Sequence, residues 1–294
     1  MKISVTGGKG GTGKSTVATS LALVFANRHK KTMLVDADVD CPDDHLMLSV
    51  KRKKMKDVFQ PIPKYDLSKC TKCGKCAEVC KQNCIVFVKG KFPAFVPDMC
   101  IGCKACIVTC PSGAIAVGKK KIGEIYQGSK LGIQLVSGQL GIGQLASGEM
   151  VSETRKFSES VESKKGIEIS IIDSAAGIGC PVIASITGTD FVVAVTEPTP
   201  SALSDLDRVL KVVNHFNVPY GLLINKYDMS DKFGKKVEMF ARKNDIPIIG
   251  KIPYDKKFIE SAIKMKPAIS SSEEFEGMFS GMAEKINNII QKNK

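Results

Sequence analysis

The chain has 294 residues, 43% of them hydrophobic, and a formal charge of +13. That much apolar material can fill one large core or two smaller ones, and no apolar run reaches the ~18 residues that a membrane span requires. Eleven cysteines are many for a chain that opens on MKISVTGG, without a charged and then apolar leader. A cytoplasmic location is expected, where disulfides are disfavoured and metal binding is the better use of clustered thiols.

Residues 2–6 (KISVT) predict a buried strand and 14–28 an amphipathic helix, followed by a strand at 32–36 (TMLVD). Strand-like runs recur at 168–173, 190–195 and 219–225, with helical stretches at 202–216 and 232–244 between and after them. Alternation of this kind predicts an α/β fold, a mostly parallel sheet with helices on both faces. Between about 62 and 120 the pattern breaks into cysteine-rich, proline-punctuated text and then resumes. The block therefore reads as an insertion, dividing the chain into 1–61, an inserted small α+β domain at 62–120, and 121–294. Seven glycines between 121 and 150 interleave with apolar residues, which predicts one strand near 131–137, a loop, and a helix from about 149. The spacing of Phe275, Met278, Phe279, Met282, Ile286 and Ile290 predicts a closing helix packed on the core.

Gly8-Lys9-Gly10-Gly11-Thr12-Gly13-Lys14-Ser15 matches G-x-x-x-x-G-K-[ST] and lies between the first strand and the first helix. This is a phosphate-binding P-loop in its proper context. Its glycines let backbone N–H groups face phosphate oxygens, and the helix start adds partial positive charge. Lys14 is expected to reach the β- and γ-phosphates, and Ser15 to hold Mg²⁺.

Cys70-x₂-Cys73-x₂-Cys76-x₃-Cys80 and Cys100-x₂-Cys103-x₂-Cys106-x₃-Cys110-Pro111 repeat the spacing of bacterial two-cluster ferredoxins. In that pattern the fourth cysteine of each run serves the other cluster. One [4Fe–4S] cluster is then expected on Cys70, Cys73, Cys76 and Cys110, and a second on Cys100, Cys103, Cys106 and Cys80. A zinc site rarely repeats a four-cysteine run at this spacing. Aligned repeats put Cys84 opposite Ala114, where it reads as a small buried residue, and Lys81 in place of the usual proline. Two oxidised clusters add about −4, lowering the net charge to near +9. Nine lysines against three acids between Asp66 and Lys120 suggest an acidic redox or metalloprotein partner and raised cluster potentials, with simple solubility an equal alternative.

The run Lys9-Gly10-Gly11-Thr12-Gly13-Lys14-Ser15-Thr16 resembles the deviant Walker A loop of the MinD/ParA/Mrp and nitrogenase iron protein superfamily. Together with the cysteine runs, it resembles the branch of that superfamily carrying an inserted ferredoxin domain. The resemblance implies Mg-ATP hydrolysis in an ATP-sandwich homodimer, with Lys9 reaching the partner's nucleotide. It implies that Asp38, in Asp36-Ala37-Asp38, orients the attacking water, and that Asp36 and Asp173 support Mg²⁺ through water. It further implies that the Gly177 N–H meets the γ-phosphate and that Asn225 meets the adenine edge. Ala175 and Ala176 stand where many relatives have prolines. Cys180 lies seven residues after Asp173, as a cluster ligand of the nitrogenase iron protein does, but the second such ligand is replaced by Gln144. A cluster bridging the dimer is therefore not expected, and the electrons are assigned to the inserted clusters.

These features lead to a nucleotide-gated electron carrier. Alternatives are an accessory ATPase in metallocofactor maturation and a spatial regulator of the MinD/ParA kind. For the last, Lys51-Arg52-Lys53-Lys54-Met55-Lys56 would be the DNA or lipid contact, although a solvated lysine run explains it equally well.

Overall fold

The computed structural model describes residues 1–292. β1 (Lys2–Gly7), α1 (Lys14–Asn27) and β2 (Thr32–Ala37) start the chain as expected, and a one-turn α2 (Asp44–Met47) follows. A long strand, β3 (Lys53–Tyr65), leads out to the cysteine-rich segment, which holds α3 (Lys75–Glu78), β4 (Ile85–Val86), β5 (Ala94–Phe95) and α4 (Ala105–Thr109). β6 (Ile115–Lys130) returns antiparallel to β3, and β7 (Ile133–Leu140) pairs antiparallel with β6. The rest alternates: α5 (Ser147–Lys165), β8 (Ile169–Ala176), α6 (Cys180–Ile186), β9 (Phe191–Thr196), α7 (Pro200–His215), β10 (Tyr220–Asn225), α8 (Asp231–Lys243), β11 (Ile248–Ile252), α9 (Lys256–Ile263) and α10 (Glu273–Lys292).

Nine strands form one sheet in the order β11-β10-β9-β1-β8-β2-β7-β6-β3. The run from β11 to β7 is parallel throughout. Such strands are covered on both faces, and their side chains alternate between two apolar layers. Ile3, Val5, Phe191, Val193 and Val195 face α1 and α10, whereas Val192, Ala194, Leu222 and Ile224 face α6, α7 and α8. α5 covers the other end of that second face, against Met33, Val35, Val136 and Ile172. Phe25, Phe191, Phe275 and Phe279 are fully buried; truncating any of them to alanine should cost roughly 3–5 kcal/mol.

One expectation needs correction. The glycine-rich connector holds not one strand but the end of β6 as well as β7, joined through Leu131 and Gly132 at φ +55° and +75°. Two successive positive φ values suit a tight hairpin. Its glycines are packing positions: a Cβ at Gly128 would lie 2.5 Å from Val50, and one at Gly138 would strike Thr154 of α5. Close approach of backbone to neighbours removed the alternation by which a strand is read. The basic run 51–56 lies at the start of the edge strand. Lys53 to Lys56 belong to β3, Arg52 stacks 4.6 Å from the Tyr126 ring centre, and Lys54 and Lys56 pair with Asp57, Glu124 and Glu153. Two of the five basic side chains of the run are thus paired within the chain.

β3 and β6 stay paired from Lys53↔Gln127 to Tyr65↔Ile115. The strands thus run unbroken across residues 61/62 and 120/121, and a two-stranded ribbon, rather than flexible linkers, carries the cysteine segment. No helix among the described residues is long and apolar enough to cross a membrane.

Candidate functional site

The P-loop joins the C-terminal end of β1 to α1, in the middle of the sheet. Gly11 and Gly13 adopt φ +77° and +90°, and Gly13 serves as the N-terminal boundary of α1 with no side-chain cap, leaving first-turn N–H groups free for an anion. Lys14 is buried. Asn225, at the end of β10, donates from Nδ2 to the Thr12 carbonyl at 2.8 Å and so braces the loop. Beside it lies a 320 Å³ cavity lined by Gly11, Gly13, Thr16, Asn225, Lys226 and Tyr254, among others.

On the opposite side of the loop stand five acids. Asp36 ends β2, Asp173 lies in β8, and Asp38, Asp43 and Asp44 follow β2. Ligand oxygens of Asp43, Asp44 and Asp173 lie within 4.8 Å of one another. Burial pushes the Asp173 carboxyl up to about 7, with Asp43 and Asp38 adding to the rise while Ser15 and Lys14 oppose it. Burial also raises Asp36 and Asp44, and their neighbouring acids reinforce the shift. One Asp36 oxygen and both oxygens of Asp44 and Asp173 are buried without a hydrogen-bond partner. Orphaned anionic oxygens are costly unless a cation joins them, so this donor set suits a hard divalent ion such as Mg²⁺. Asp43 and Asp44 were not singled out in the sequence; only the turn after β2, folding back under the P-loop, brings them to Asp173.

Two groups expected at the γ-phosphate are paired within the chain. Lys9 Nζ lies 3.0 Å from Glu197 Oε1, and Lys226 Nζ lies 3.0 Å from the other oxygen of the same carboxylate. The Gly177 N–H donates to the Gly7 carbonyl at 3.1 Å. Cys180 is exposed at the start of α6, tight against Gly148 of α5, where an added Cβ would lie 2.6 Å from its own.

The cysteine segment has internal twofold repetition. A short 3₁₀ turn precedes both Cys70 and Cys100. Lys72 and Gly102, Gly74 and Lys104, and Asn83 and Gly113 all have positive φ, from 51° to 78°. Each pair includes one glycine, which takes this conformation without the cost that Lys or Asn incurs. Cys70, Cys73, Cys76 and Cys110 line one cavity. Cys80, Cys100, Cys103 and Cys106 line another, with Cys84 beside them. The second measures 340 Å³ and the first 20 Å³, with exposed Cys73 at its edge. Four convergent thiols per cavity are the donor set for soft iron–sulfur ligation. The second cavity is the roomier of the two; the first has the donors but little free volume as it stands. Tyr65, at the end of β3, is close to both sets: burial and the Cys76 and Cys106 sulfurs push its phenol upward. No sequence signal marked it.

The CbiA family model, described as the CobQ/CobB/MinD/ParA nucleotide binding domain, matches residues 3–268. The chain belongs to that family. An uncharacterised protein of Methanocaldococcus jannaschii is 36% identical over 266 residues, 90% of each chain. The iron-sulfur cluster carrier protein of Pyrococcus abyssi is 23% identical, over 89% of this chain and 76% of its own. An uncharacterised ferredoxin of M. jannaschii is 36% identical over 55 residues, 18% of this chain and 71% of that protein. Among solved structures, the septum site-determining protein MinD of Pyrococcus horikoshii, complexed with Mg-ADP, superposes with a TM-score of 0.60 at 18% identity, covering 97% of this chain and 95% of that one. Nucleotide binding on a MinD-like P-loop fold is thus the family property of this chain.

Proposed function

We propose that this member of the CobQ/CobB/MinD/ParA family is a Mg-ATPase that dimerises around ATP and uses its nucleotide state to control electron transfer through two [4Fe–4S] clusters. The observation that carries the proposal is the convergence of the eight cysteines of the two runs on two neighbouring cavities, four of them to each with Cys84 beside the second set, at the end of a ribbon continuous with the nucleotide-binding sheet. Lys14 and Ser15 would hold the β- and γ-phosphates and Mg²⁺, with Asp36 and Asp173 behind the metal and Asp38 on the attacking water. Lys9 would leave Glu197 to meet the partner protomer's nucleotide. The bound clusters would supply one-electron carriers; the chain's own part is to hold them and to move them with the switches.

A physical link supports the coupling. Arg52, just before the ribbon, donates to Ser137 Oγ at 2.9 Å, and Ser137 donates to Asp36 Oδ2 at 3.5 Å. A shift of Asp36 on metal binding would reach the base of β3 along this path. Lys75, Lys81, Lys89, Lys91 and Lys104 are exposed and, among the described residues, outside any ion pair, which favours an acidic redox partner.

The test is anaerobic. The purified chain should hold about eight iron and eight sulfide per protomer, and its oxidation by an acceptor should proceed at different rates with ATP and ADP. Equal rates with both nucleotides and with Lys14→Ala would remove the gating. A second reading, cluster delivery in metallocofactor maturation, is favoured by the solvent exposure of Cys73 and Cys103. Iron passing to an apo-acceptor in step with its loss from this chain would decide for delivery.

A further inference from the structure

We propose that the second cavity is a five-thiol site, in which Cys84 is a reserve ligand able to take over from Cys80. The inference rests on the two-cluster reading and concerns how one of the clusters is held.

The two repeats are not equal at this point. Cys84 and Ala114 occupy equivalent places, 3% and 2% exposed. Alanine satisfies the packing requirement in one repeat; the other carries a sulfur on the wall of the second cavity, alongside Cys80, Cys100, Cys103 and Cys106. Cys84 Sγ lies 3.2 Å from Cys80 Sγ, too far for a disulfide and close enough for an S–H···S contact. Cys110, the cross-run cysteine of the first cavity, has no such neighbour among the described residues: its side-chain partner is Ser112 Oγ at 3.7 Å. The larger cavity therefore holds one donor beyond the four that a cluster uses, and that donor adjoins the one ligand contributed by the other run.

Ligand exchange balances without a co-reactant. With a cluster bound, Cys84 would take the iron position that Cys80 gives up, and its thiol proton would pass across the 3.2 Å contact to the Cys80 sulfur. No oxidation state changes. With Cys80 holding the iron, the Cys84 S–H would instead donate to its sulfur, an interaction that would raise the cluster's potential.

The test uses the full chain, loaded anaerobically, with Mg-ATP binding as the control for folding. Wild type, Cys84→Ala and Cys80→Ser should each hold about eight iron, and Cys80→Ser/Cys84→Ala only about four. Cys110→Ser should also fall to about four, because Ala114 offers no substitute. Cys80→Ser falling as low as the double variant, beside a fully loaded wild type, overturns this inference alone. A wild type far short of eight iron removes the cluster reading and this inference with it. Cys84→Ala gives an independent check should Cys80→Ser misfold. In an EPR-monitored redox titration, one of the two clusters should shift to lower potential while the other stays; if neither moves, the proposal is overturned.

Discussion

Glu197 holds Lys9 and Lys226 at once, with one carboxylate oxygen 3.0 Å from each ammonium. Burial alone would raise this carboxyl; the two lysines outweigh it and hold the carboxyl below its ordinary value. Lys226 also donates to the Gly11 carbonyl at 3.1 Å, so the pair ties β9 and β10 to the P-loop. If Lys9 serves a partner protomer's nucleotide, it must first leave Glu197. Glu197→Gln should then favour the Mg-ATP dimer by about fivefold, the scale of a partly exposed ion pair of ~1 kcal/mol. Light scattering with ATP would show it. A weaker dimer would mean that Glu197 supports the loop rather than restraining the lysine.

The buried acids give a pH dependence of definite sign. Asp173 titrates near 3.8 when unfolded and at about 7 in the fold. Between those values the folded chain binds the extra proton, so stability falls as pH rises through the window. Without magnesium nucleotide, the melting temperature should drop between about pH 4 and about pH 7 and level off above. Excess Mg-ATP should flatten the slope, because the cation favours the ionised carboxylates. A melting temperature that rises over that range would contradict the assignment of these acids.

Gly13 sits at φ +90° with its open side against the Asn225 amide. Gly13→Ala forces strain of about 1–3 kcal/mol and displaces the Asn225–Thr12 brace. Nucleotide affinity should fall by at least about tenfold, ~1.4 kcal/mol, while the circular dichroism spectrum is kept. Calorimetry showing unchanged affinity would mean that the loop conformation is not what binds.

The ribbon should make the cysteine segment separable. Tyr65 pairs with Ile115, so the strands can be closed by a two-residue turn. Replacing residues 66–114 by Asn-Gly should give a chain that binds Mg-ATP within about threefold of wild type, under ~1 kcal/mol, and holds no iron. Aggregation of that chain would show that the cysteine segment supports the sheet, for instance through Gln60 donating to the Cys100 carbonyl at 2.8 Å.

The amino-acid sequence by itself determined β1, α1 and β2 and the alternation from β8 to β10, because a parallel sheet covered on both faces writes continuous apolar runs separated by amphipathic helices, whereas the lysines and prolines of β3 hid that edge strand. It also set out the P-loop and the two cysteine runs, whose chemistry lies in local spacing. β6 and β11 were hidden where glycines serve close packing: Gly250 in β11 lies where a Cβ would come 2.5 Å from Met282 of α10. Only the tertiary structure decided that Asp43 and Asp44 gather with Asp173, that Lys9 rests on Glu197, and that Cys84 faces Cys80. Each joins side chains whose placement depends on how distant strands, turns and repeats pack, and sequence spacing alone carries no measure of that distance.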